Sequence, residues 1–243
     1  MLLRCIHAET IKLRRSMIFA ICILIPIIPA IMGTFNYLQN LEILQSEWYS
    51  LWTQFTLFYA SLFFAPLIGI YCSYLWRMEH LNRNWNMLMS APVSVSSMYL
   101  GKLAVILRVT VVTQMWVGIL FFLCGKLAGL PGVFTPRILF WLFRGALAAV
   151  AIGALQLLLS MVIRSFSVPI AVSLVGSVAG LMLSNQGLGL YFPYSLMLMG
   201  MNANKSTDAL SGSGLSFLVS VCFFFFFFYG VAIYILKRRD VRA

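Results

Sequence analysis

The sequence predicts an all-α integral membrane protein with six transmembrane helices. Of its 243 residues, 62% are hydrophobic and only 9% are charged, whereas a typical soluble domain is about 25% charged. The mean hydropathy is +0.95, and a soluble core of this size cannot bury so much apolar surface. Six apolar stretches stand between polar segments, and they lack the alternation of barrel strands, which leaves helices to span the bilayer.

Most of the six stretches approach or exceed the roughly 20 helical residues that cross about 30 Å of hydrocarbon. They cover residues 17–35, 55–75, 103–124, 138–160, 168–184 and 215–236. The fifth stretch is the shortest, and we expect Pro169 to open its helix. Residues 1–243 are therefore expected to form a single transmembrane domain.

The distribution of basic residues predicts the orientation. Lys and Arg collect at both chain ends and in the loops after the second and fourth stretches, whereas the opposite loops hold only Lys126, Arg137 and Lys205. Cytoplasmic loops of membrane proteins carry an excess of Lys and Arg, so we expect both termini in the cytoplasm. The same placement accounts for the net charge of +11 without a nucleic acid partner.

Residues 1–16 alternate apolar and charged side chains at helical spacing. The face that suits contact with lipid carries Leu2, Leu3, Ile6, Thr10 and Leu13. The face that suits contact with water carries Arg4, Glu9, Lys12 and Arg15. This pattern predicts a short helix lying in the membrane interface; the alternative is a simple basic anchor ahead of the first span.

The sequence offers no site for catalysis or for a metal ion. Its histidines, His7 and His80, lie in predicted cytoplasmic segments, and all six acidic residues lie outside the spans. Its five cysteines lack the spacing of a metal site or a disulfide framework. The phosphate-binding loop GxxxxGK[ST] is missing, because Leu103 follows Gly101 and Lys102. We expect no cofactor in this chain, so any ATP, with its Mg²⁺, must bind a partner subunit.

Two arginines lie within the predicted spans. Arg108 is about 9 Å inside the third helix, and Arg144 lies at a similar depth inside the outer end of the fourth. One interpretation is that each side chain reaches the headgroups or packs on a neighbouring helix. The other is a polar substrate path, with Gln114 and Gln156 as companions.

Small residues recur at four-residue spacing in two spans. They are Gly176, Gly180 and Ser184 in the fifth span, and Gly145, Ala149 and Gly153 in the fourth. Such faces let helix backbones approach closely in lipid. The predicted contact is either within one chain or between two subunits.

The most informative stretch is the basic loop at residues 74–102. Its residues 77–91 have helical propensity and end before Pro92. The apolar face of this predicted helix carries Leu81, Trp85 and Leu88, and its polar face carries Glu79 and Arg83. A short amphipathic helix displayed beneath the bilayer suits a groove in a partner protein; the alternative is a helix resting on the membrane surface.

Several further motifs accompany this loop in a fixed order. They are Glu9 with Lys12, Leu13, Arg14 and Arg15, the first-span prolines Pro26 and Pro29, the loop from Glu79 to Lys102, Pro-Tyr-Ser-Leu-Met at 193–197 and Lys-Arg-Arg-Asp at 237–240. With this order and six spans, the chain resembles the permease subunits of ABC type-2 transporters over nearly its whole length. The resemblance is closest to those of bacterial lantibiotic and bacitracin immunity.

The resemblance implies two protein partners. Residues 77–91 would form a coupling helix that docks into a separate ATP-binding cassette ATPase subunit, through Glu79, Leu81, Arg83, Trp85 and Leu88. A second permease, identical or a sister chain, would contact the first and fifth spans, which makes Gly176, Gly180 and Ser184 candidate interface residues.

The resemblance also bears on the outer loop at residues 185–214. Family members often dip back into the membrane between the fifth and sixth spans. Residues 187–201, which are moderately apolar and broken by Pro193, therefore form either a re-entrant piece or an ordinary loop.

The implied function is that of a permease in an ATP-driven exporter of the bacterial plasma membrane, not an enzyme. The expected cargo is a lantibiotic-type antimicrobial peptide, taken laterally from the outer leaflet. Glu42 and Glu47 would attract such cationic peptides, and their neighbours Trp48, Tyr49 and Trp52 either bind them or form an aromatic belt. The alternatives are a lipid-linked, glycan or drug substrate, or a membrane scaffold without transport.

Overall fold

The computed structural model describes residues 1–14, 16–81, 84–90, 92–205 and 214–238, apart from the side chains of Asn86 and Leu88. These residues form helices and turns, with no strand among them, which confirms the predicted all-α fold. The α-helices are α1 (Leu2–Arg14), α2 (Ile18–Leu24), α3 (Ile27–Gln39), α4 (Glu47–Phe58), α5 (Phe64–His80), α6 (Asn84–Ser90), α7 (Val95–Leu127), α8 (Arg137–Val162), α9 (Ser167–Asn185), α10 (Leu196–Gly200) and α11 (Gly214–Arg238).

Six helical stretches within the described ranges are long and apolar enough to cross a bilayer, as predicted. They are Ile18–Gln39, Glu47–His80, Val95–Leu127, Arg137–Val162, Ser167–Asn185 and Gly214–Arg238. The second and third, at 34 and 33 residues, are longer than the sequence predicts. The third starts early because Ser94 caps it, accepting a hydrogen bond from Ser97 N–H at 3.2 Å.

Two spans contain a break next to a proline. The first span passes from α2 to α3 at Pro26, because proline has no N–H to donate and its ring crowds the preceding turn. The second span passes from α4 to α5 through one π-helical turn, Tyr59–Phe63, shortly before Pro66. Both spans therefore lose regular α-helical hydrogen bonding within the region expected to lie in the membrane.

The core of the bundle is built around α8, which packs against α5, α7 and α11. Aromatic rings fill one part of this core. Trp52 meets Phe121 edge to face with ring centroids 5.1 Å apart, and it stacks on Trp141 at 5.9 Å. The outer helices α9 and α11 bury far less of their surface, so their apolar side chains are available to lipid or to a partner chain.

The two ends of the bundle differ in the burial of their charged side chains. We call the end that carries α1 and α6 the basal end, and the end that carries residues 40–46 and 128–136 the distal end. Glu9, Glu79 and Lys102 at the basal end are buried together. Glu42 and Glu47 at the distal end are exposed.

Candidate functional site

Four charged side chains form a buried ion-pair cluster at the basal end. Glu9 and Lys12 come from α1, Glu79 from the last turn of α5, and Lys102 from the first part of α7. Lys102 Nζ lies 2.9 Å from Glu9 Oε1 and 2.8 Å from Glu79 Oε1. Lys12 Nζ lies 2.9 and 2.5 Å from the same two atoms. We call these four residues the basal cluster.

Helix packing explains how the cluster assembles. Glu9 and Lys12 are three residues apart, so they share one face of α1. That helix lies directly against α7, because a Cβ atom at Gly101 would be only 2.9 Å from Cys5 Cβ. The glycine next to Lys102 thus lets α1 approach closely enough for Glu9 to reach the lysine.

The basal cluster is balanced in charge and largely excludes water. Lys102 is 0% exposed, and Glu9 and Glu79 are each 4% exposed. Burial opposes the charged form of Lys12, but the charges and hydrogen bonds of Glu9 and Glu79 outweigh it, so the pKa of Lys12 is raised. Since the folded pKa exceeds the unfolded one, the charge of Lys12 stabilises the fold fully below the unfolded pKa, as long as the two carboxylates stay ionised. This contribution is lost as the pH rises through the folded pKa.

Three stacked rings connect the basal cluster to α6. Lys102 Nζ lies 5.0 Å from the centroid of the Trp76 ring. Trp76 stacks on His80 with centroids 6.2 Å apart, and His80 stacks on Trp85 at 5.7 Å with planes 10° apart. We call Trp76, His80 and Trp85 the aromatic stack. A movement of α6 can therefore be transmitted to the ion pairs through direct contacts between these rings and Lys102.

The prediction of one continuous helix over residues 77–91 is wrong. α5 ends at His80, and Leu81 has an extended backbone with φ −84° and ψ 151°. α6 then begins separately at Asn84, whose side-chain amide donates to Met78 O at 2.9 Å. This bond satisfies a carbonyl near the end of α5, where the helix itself supplies no partner.

The residues predicted to contact an ATPase are therefore divided between surfaces. Glu79 is not on an exposed polar face but inside the basal cluster, because lysines from α1 and α7 pair with it. Trp85 belongs to the aromatic stack, and Leu81 is 50% exposed. Arg83 lies outside the described residues, as does the side chain of Leu88.

The N-terminal segment is helical as predicted, but its faces differ from those expected. Leu13, predicted to face lipid, is 3% exposed, and Glu9, predicted to face water, is 4% exposed. Leu3 is 81% exposed, in agreement with a face open to lipid. The reversal at Glu9 follows from the lysine that α7 supplies beneath it.

The small-residue face of α9 meets a segment of the same chain. A Cβ atom at Gly176 would collide with the ring of Tyr194, and one at Gly180 would lie 2.9 Å from Ser195 N. Ser184 lies at the edge of this contact, with its Cα 3.3 Å from a Cβ placed at Gly189. The close approach is thus used within the chain, and a role of these residues between subunits stays a prediction.

The segment at residues 189–203 reaches well below the distal end. Tyr191 is exposed, but residues 193–203 are buried apart from half-buried Met199, with Leu196 and Met197 both 0% exposed. The Tyr194 hydroxyl accepts a hydrogen bond from Gln156 Nε2 at 2.6 Å. Its ring lies against Gly176, nine residues before the end of α9, which corresponds to about 14 Å of helix.

The polar residues predicted for a substrate path do not share one surface. Gln114 is 3% exposed, and its Oε1 accepts from the Tyr59 hydroxyl at 3.3 Å. Gln156 is 0% exposed and bonds instead to the segment at residues 189–203. The two amides therefore stabilise separate helix contacts.

The two intramembrane arginines also differ. Arg108 is exposed on the outside of α7. Arg144 is 4% exposed, and its guanidinium carbon lies 4.4 Å from the centroid of Phe217 on α11. Its Nε and Nη1 atoms have no hydrogen-bond partner among the described residues. Arg144 thus packs on a ring of a neighbouring helix, which was one of the two predicted interpretations.

A large groove lies between α7 and α8. Its volume is about 960 Å³, and Gln114 is the amide side chain in a lining that is otherwise apolar. Met115, Leu139 and Phe143 on its walls are 65%, 57% and 59% exposed. The groove, which we call the lateral groove, therefore opens to the side of the bundle, where lipid is expected.

Two of the three aromatic residues that follow Glu47, Trp48 and Trp52, form neither a membrane belt nor an open binding surface. Trp48 and Trp52 are 6% and 0% exposed. Their indole N–H groups donate to Pro131 O at 2.7 Å and to Met201 O at 2.8 Å. Both expectations are wrong for Trp48 and Trp52, because α4 begins at Glu47 and turns these two rings into the protein core, whereas for half-buried Tyr49 they stay predictions.

Sequence reasoning missed the basal cluster, although a signal exists. Apart from Asp240, Glu9 and Glu79 are the acidic residues of the predicted cytoplasmic segments, and each lies near the start or end of a span. Carboxylates so close to hydrocarbon are seldom left unpaired.

The described residues contain no group of three or more His, Cys, Asp or Glu side chains placed to hold a metal ion.

Comparison with known proteins bears on the whole arrangement. A model of the family described as ABC-2 family transporter protein matches residues 5–180, from α1 into α9. This range is more than half of the chain and includes the basal cluster and the aromatic stack. No curated protein and no solved structure matches the chain. The chain is a multi-pass membrane protein that belongs to the ABC-2 family of transporter proteins.

Proposed function

We propose that this permease subunit serves an ATP-binding cassette exporter that removes lantibiotic-type antimicrobial peptides from the bacterial plasma membrane. Membership of the ABC-2 transporter family supports the transport role. Both termini would face the cytoplasm, which puts the basal end on the cytoplasmic side and the distal end outside. ATP and Mg²⁺ would bind a separate ATPase subunit.

The observation that carries this proposal is the line of contacts from α6 through the aromatic stack to Lys102. The ATPase subunit would dock on α6 at the cytoplasmic surface, contacting Leu81, Arg83 and Leu88 near Trp85. Closure of the two ATPase subunits would displace α6. The stack and the buried Glu79 would then pass that displacement to α5, α7 and α1.

The proposed cargo route begins at the distal end. Exposed Glu42 and Glu47 would raise the local concentration of a cationic peptide near the outer leaflet. The lateral groove then offers a long apolar surface for the peptide, and Gln114, which bonds to Tyr59 in this structure, would have to turn toward the groove to contact it. Arg108, Arg144 and Gln156 would join this route in a state in which the helices have moved apart.

A second permease, identical or a sister chain, would complete the transporter. The outward faces of α9 and of the first span carry large exposed apolar side chains, including Val175 at 70%, Met182 at 61% and Ile31 at 64%. These faces suit contact between two permeases in lipid. Residues 187–201 would form a re-entrant element that supports α9 from within.

The choice of cargo is tested by peptide tolerance in a sensitive bacterium that produces this chain with its ATPase subunit. We expect several-fold higher tolerance of a cationic lantibiotic. The double variant Glu42→Gln and Glu47→Gln should lose most of that gain, whereas Gln45→Ala, an exposed change in the same loop, should retain it. If an intact wild-type complex gave no more tolerance than cells that lack it, a peptide cargo would be contradicted and a lipid-linked, glycan or drug substrate would be favoured.

A non-transporting scaffold is the remaining alternative, and ATP hydrolysis distinguishes it. In proteoliposomes, a transporter should hydrolyse ATP faster when its cargo is added. The scaffold would be favoured if a complex that contains the ATPase subunit hydrolysed ATP at the same rate with and without a peptide, lipid-linked, glycan or drug substrate.

A further inference from the structure

A second pocket lies at the basal end, between α1, the end of α6 and the start of α7. Its volume is about 440 Å³. Arg4, Glu9 and Lys12 give it a charged side, and Met89 and Met98 contribute to an apolar side. We call it the basal pocket. It joins charged and apolar surface, unlike the lateral groove, and no step of the proposed transport cycle uses it.

The charged side of the basal pocket has hydrogen-bond donors and an acceptor that are not fully used within the described residues. Lys12 uses two of its three N–H donors for Glu9 and Glu79, so one stays available. Arg4 forms no ion pair with a carboxylate in the described part of the chain. Glu9 lines the pocket and is 4% exposed, and its Oε2 atom has no hydrogen-bond partner there. The site therefore suits a group that combines an anion with a hydrogen-bond donor.

The surroundings place this pocket at the level of lipid headgroups. α1 packs on α7, a membrane span, yet it exposes Leu3 at 81% and Ile11 at 52%. Apolar side chains on a basic helix beside a span are typical of a helix that lies in the interface. The methionines on the opposite wall are flexible and apolar, so they suit the first methylene groups of an acyl chain.

We infer that the basal pocket binds an anionic phospholipid whose headgroup carries hydroxyl groups, such as phosphatidylglycerol. The phosphate would accept hydrogen bonds from Arg4 and Lys12, and a headgroup hydroxyl would donate to Glu9 Oε2. On the proposed orientation this lipid comes from the inner leaflet. A bound lipid would hold α1 against α6 and α7, directly beside the basal cluster. Binding itself requires neither the ATPase subunit nor the cargo.

The test uses the delipidated full-length chain in detergent, titrated with dioctanoyl phosphatidylglycerol and followed by native mass spectrometry. Dioctanoyl phosphatidylcholine, whose headgroup has a phosphate but neither a net charge nor a hydrogen-bond donor, should bind at least about tenfold more weakly. Arg4→Gln should weaken phosphatidylglycerol binding by about tenfold, since one charge-assisted hydrogen bond is lost. Arg14→Gln, an exposed change on the same helix outside the pocket, should leave binding unchanged.

A steric pair of variants gives an independent reading. Ala8→Trp fills the pocket and should abolish binding, whereas Leu3→Trp, on the exposed face of α1, should not. Equal affinity for the two lipids, or equal effects of Arg4→Gln and Arg14→Gln, would overturn the inference. It would also be overturned if Ala8→Trp blocked capture of the ATPase subunit while lipid binding persisted, because the pocket would then be a protein-docking surface.

Discussion

The two lysines of the basal cluster have different surroundings, although they contact the same two carboxylate oxygens. The side chain of Lys102 is 0% exposed, whereas that of Lys12 is 27% exposed. Removing an ion from water costs several kcal/mol, and well-placed partners are needed to offset this cost. Lys102 is therefore the member of the cluster whose charge Glu9 and Glu79 most depend on.

Replacing Lys102→Met should lower the free energy of unfolding by about 3 kcal/mol, because two buried carboxylates lose their deepest counter-charge. The measurement is thermal unfolding of the purified chain in detergent. Adding Glu79→Gln to the same chain should restore part of the loss, since it neutralises one carboxylate. Arg14→Met, at an exposed position of α1, is the control. A Lys102→Met variant with the same melting temperature as the wild type would show that the cluster contributes no stability.

Trp85 is the α6 member of the aromatic stack and contacts both Trp76 and His80, so its predicted effect is on coupling. Trp85→Ala should leave membrane insertion and melting temperature close to wild type while abolishing cargo-stimulated ATP hydrolysis in the assembled complex. Trp85→Phe keeps a ring against His80 and should retain most of the stimulation. Full stimulation in Trp85→Ala would exclude the stack as the route from α6 to the spans.

At the scale of the elements, the number of spans was predictable and their ends were not. A span is indicated by the summed hydropathy of about 20 residues, which local packing hardly alters. An end depends on single contacts instead. α7 begins at the Ser94 cap, and the helix predicted for residues 77–91 is interrupted where Asn84 bonds to the end of α5.

The candidate site was only partly predictable for the same reason. Trp85 could be singled out because its apolar spacing is local in sequence. The contact between Glu9 and Lys102 joins residues 93 positions apart and depends on a close helix crossing at Gly101. No pattern within one segment carries that information, so the basal cluster emerges only from the packed helices.

Contact between α9 and the segment at residues 189–203 makes a further prediction. Gly176→Ala should destabilise the chain by about 1–3 kcal/mol, because the added methyl group meets the Tyr194 ring. Melting of the monomer in detergent measures this change. Gly230→Ala is the control, since a Cβ atom there meets nothing within 4 Å.

The same variant separates the two interpretations of this face. A lower melting temperature in the monomer supports packing within the chain. If Gly176→Ala instead kept the wild-type melting temperature and lost self-association in cross-linking, the small-residue face of α9 would be a contact between permeases.

At the scale of the whole molecule, the share of buried residues differs greatly between the central and the outer spans. In the most apolar windows of the second and fourth spans 67% of residues are buried, against 22% in α9 and 11% in α11. A helix that buries so little in its own chain gains stability from lipid or from a partner. Together with the basal cluster beneath α6, this difference fits a subunit that works within a larger membrane assembly.

We expect this chain to work with an ATP-binding subunit attached at α6. The most direct measurement is affinity purification from the native membrane in mild detergent, after cross-linking from α6, followed by mass spectrometry. We expect to recover an ATP-binding cassette subunit in near-equal amount, cross-linked to residues 84–90. Recovery of the intact permease without any ATP-binding chain, even after cross-linking, would contradict this expectation.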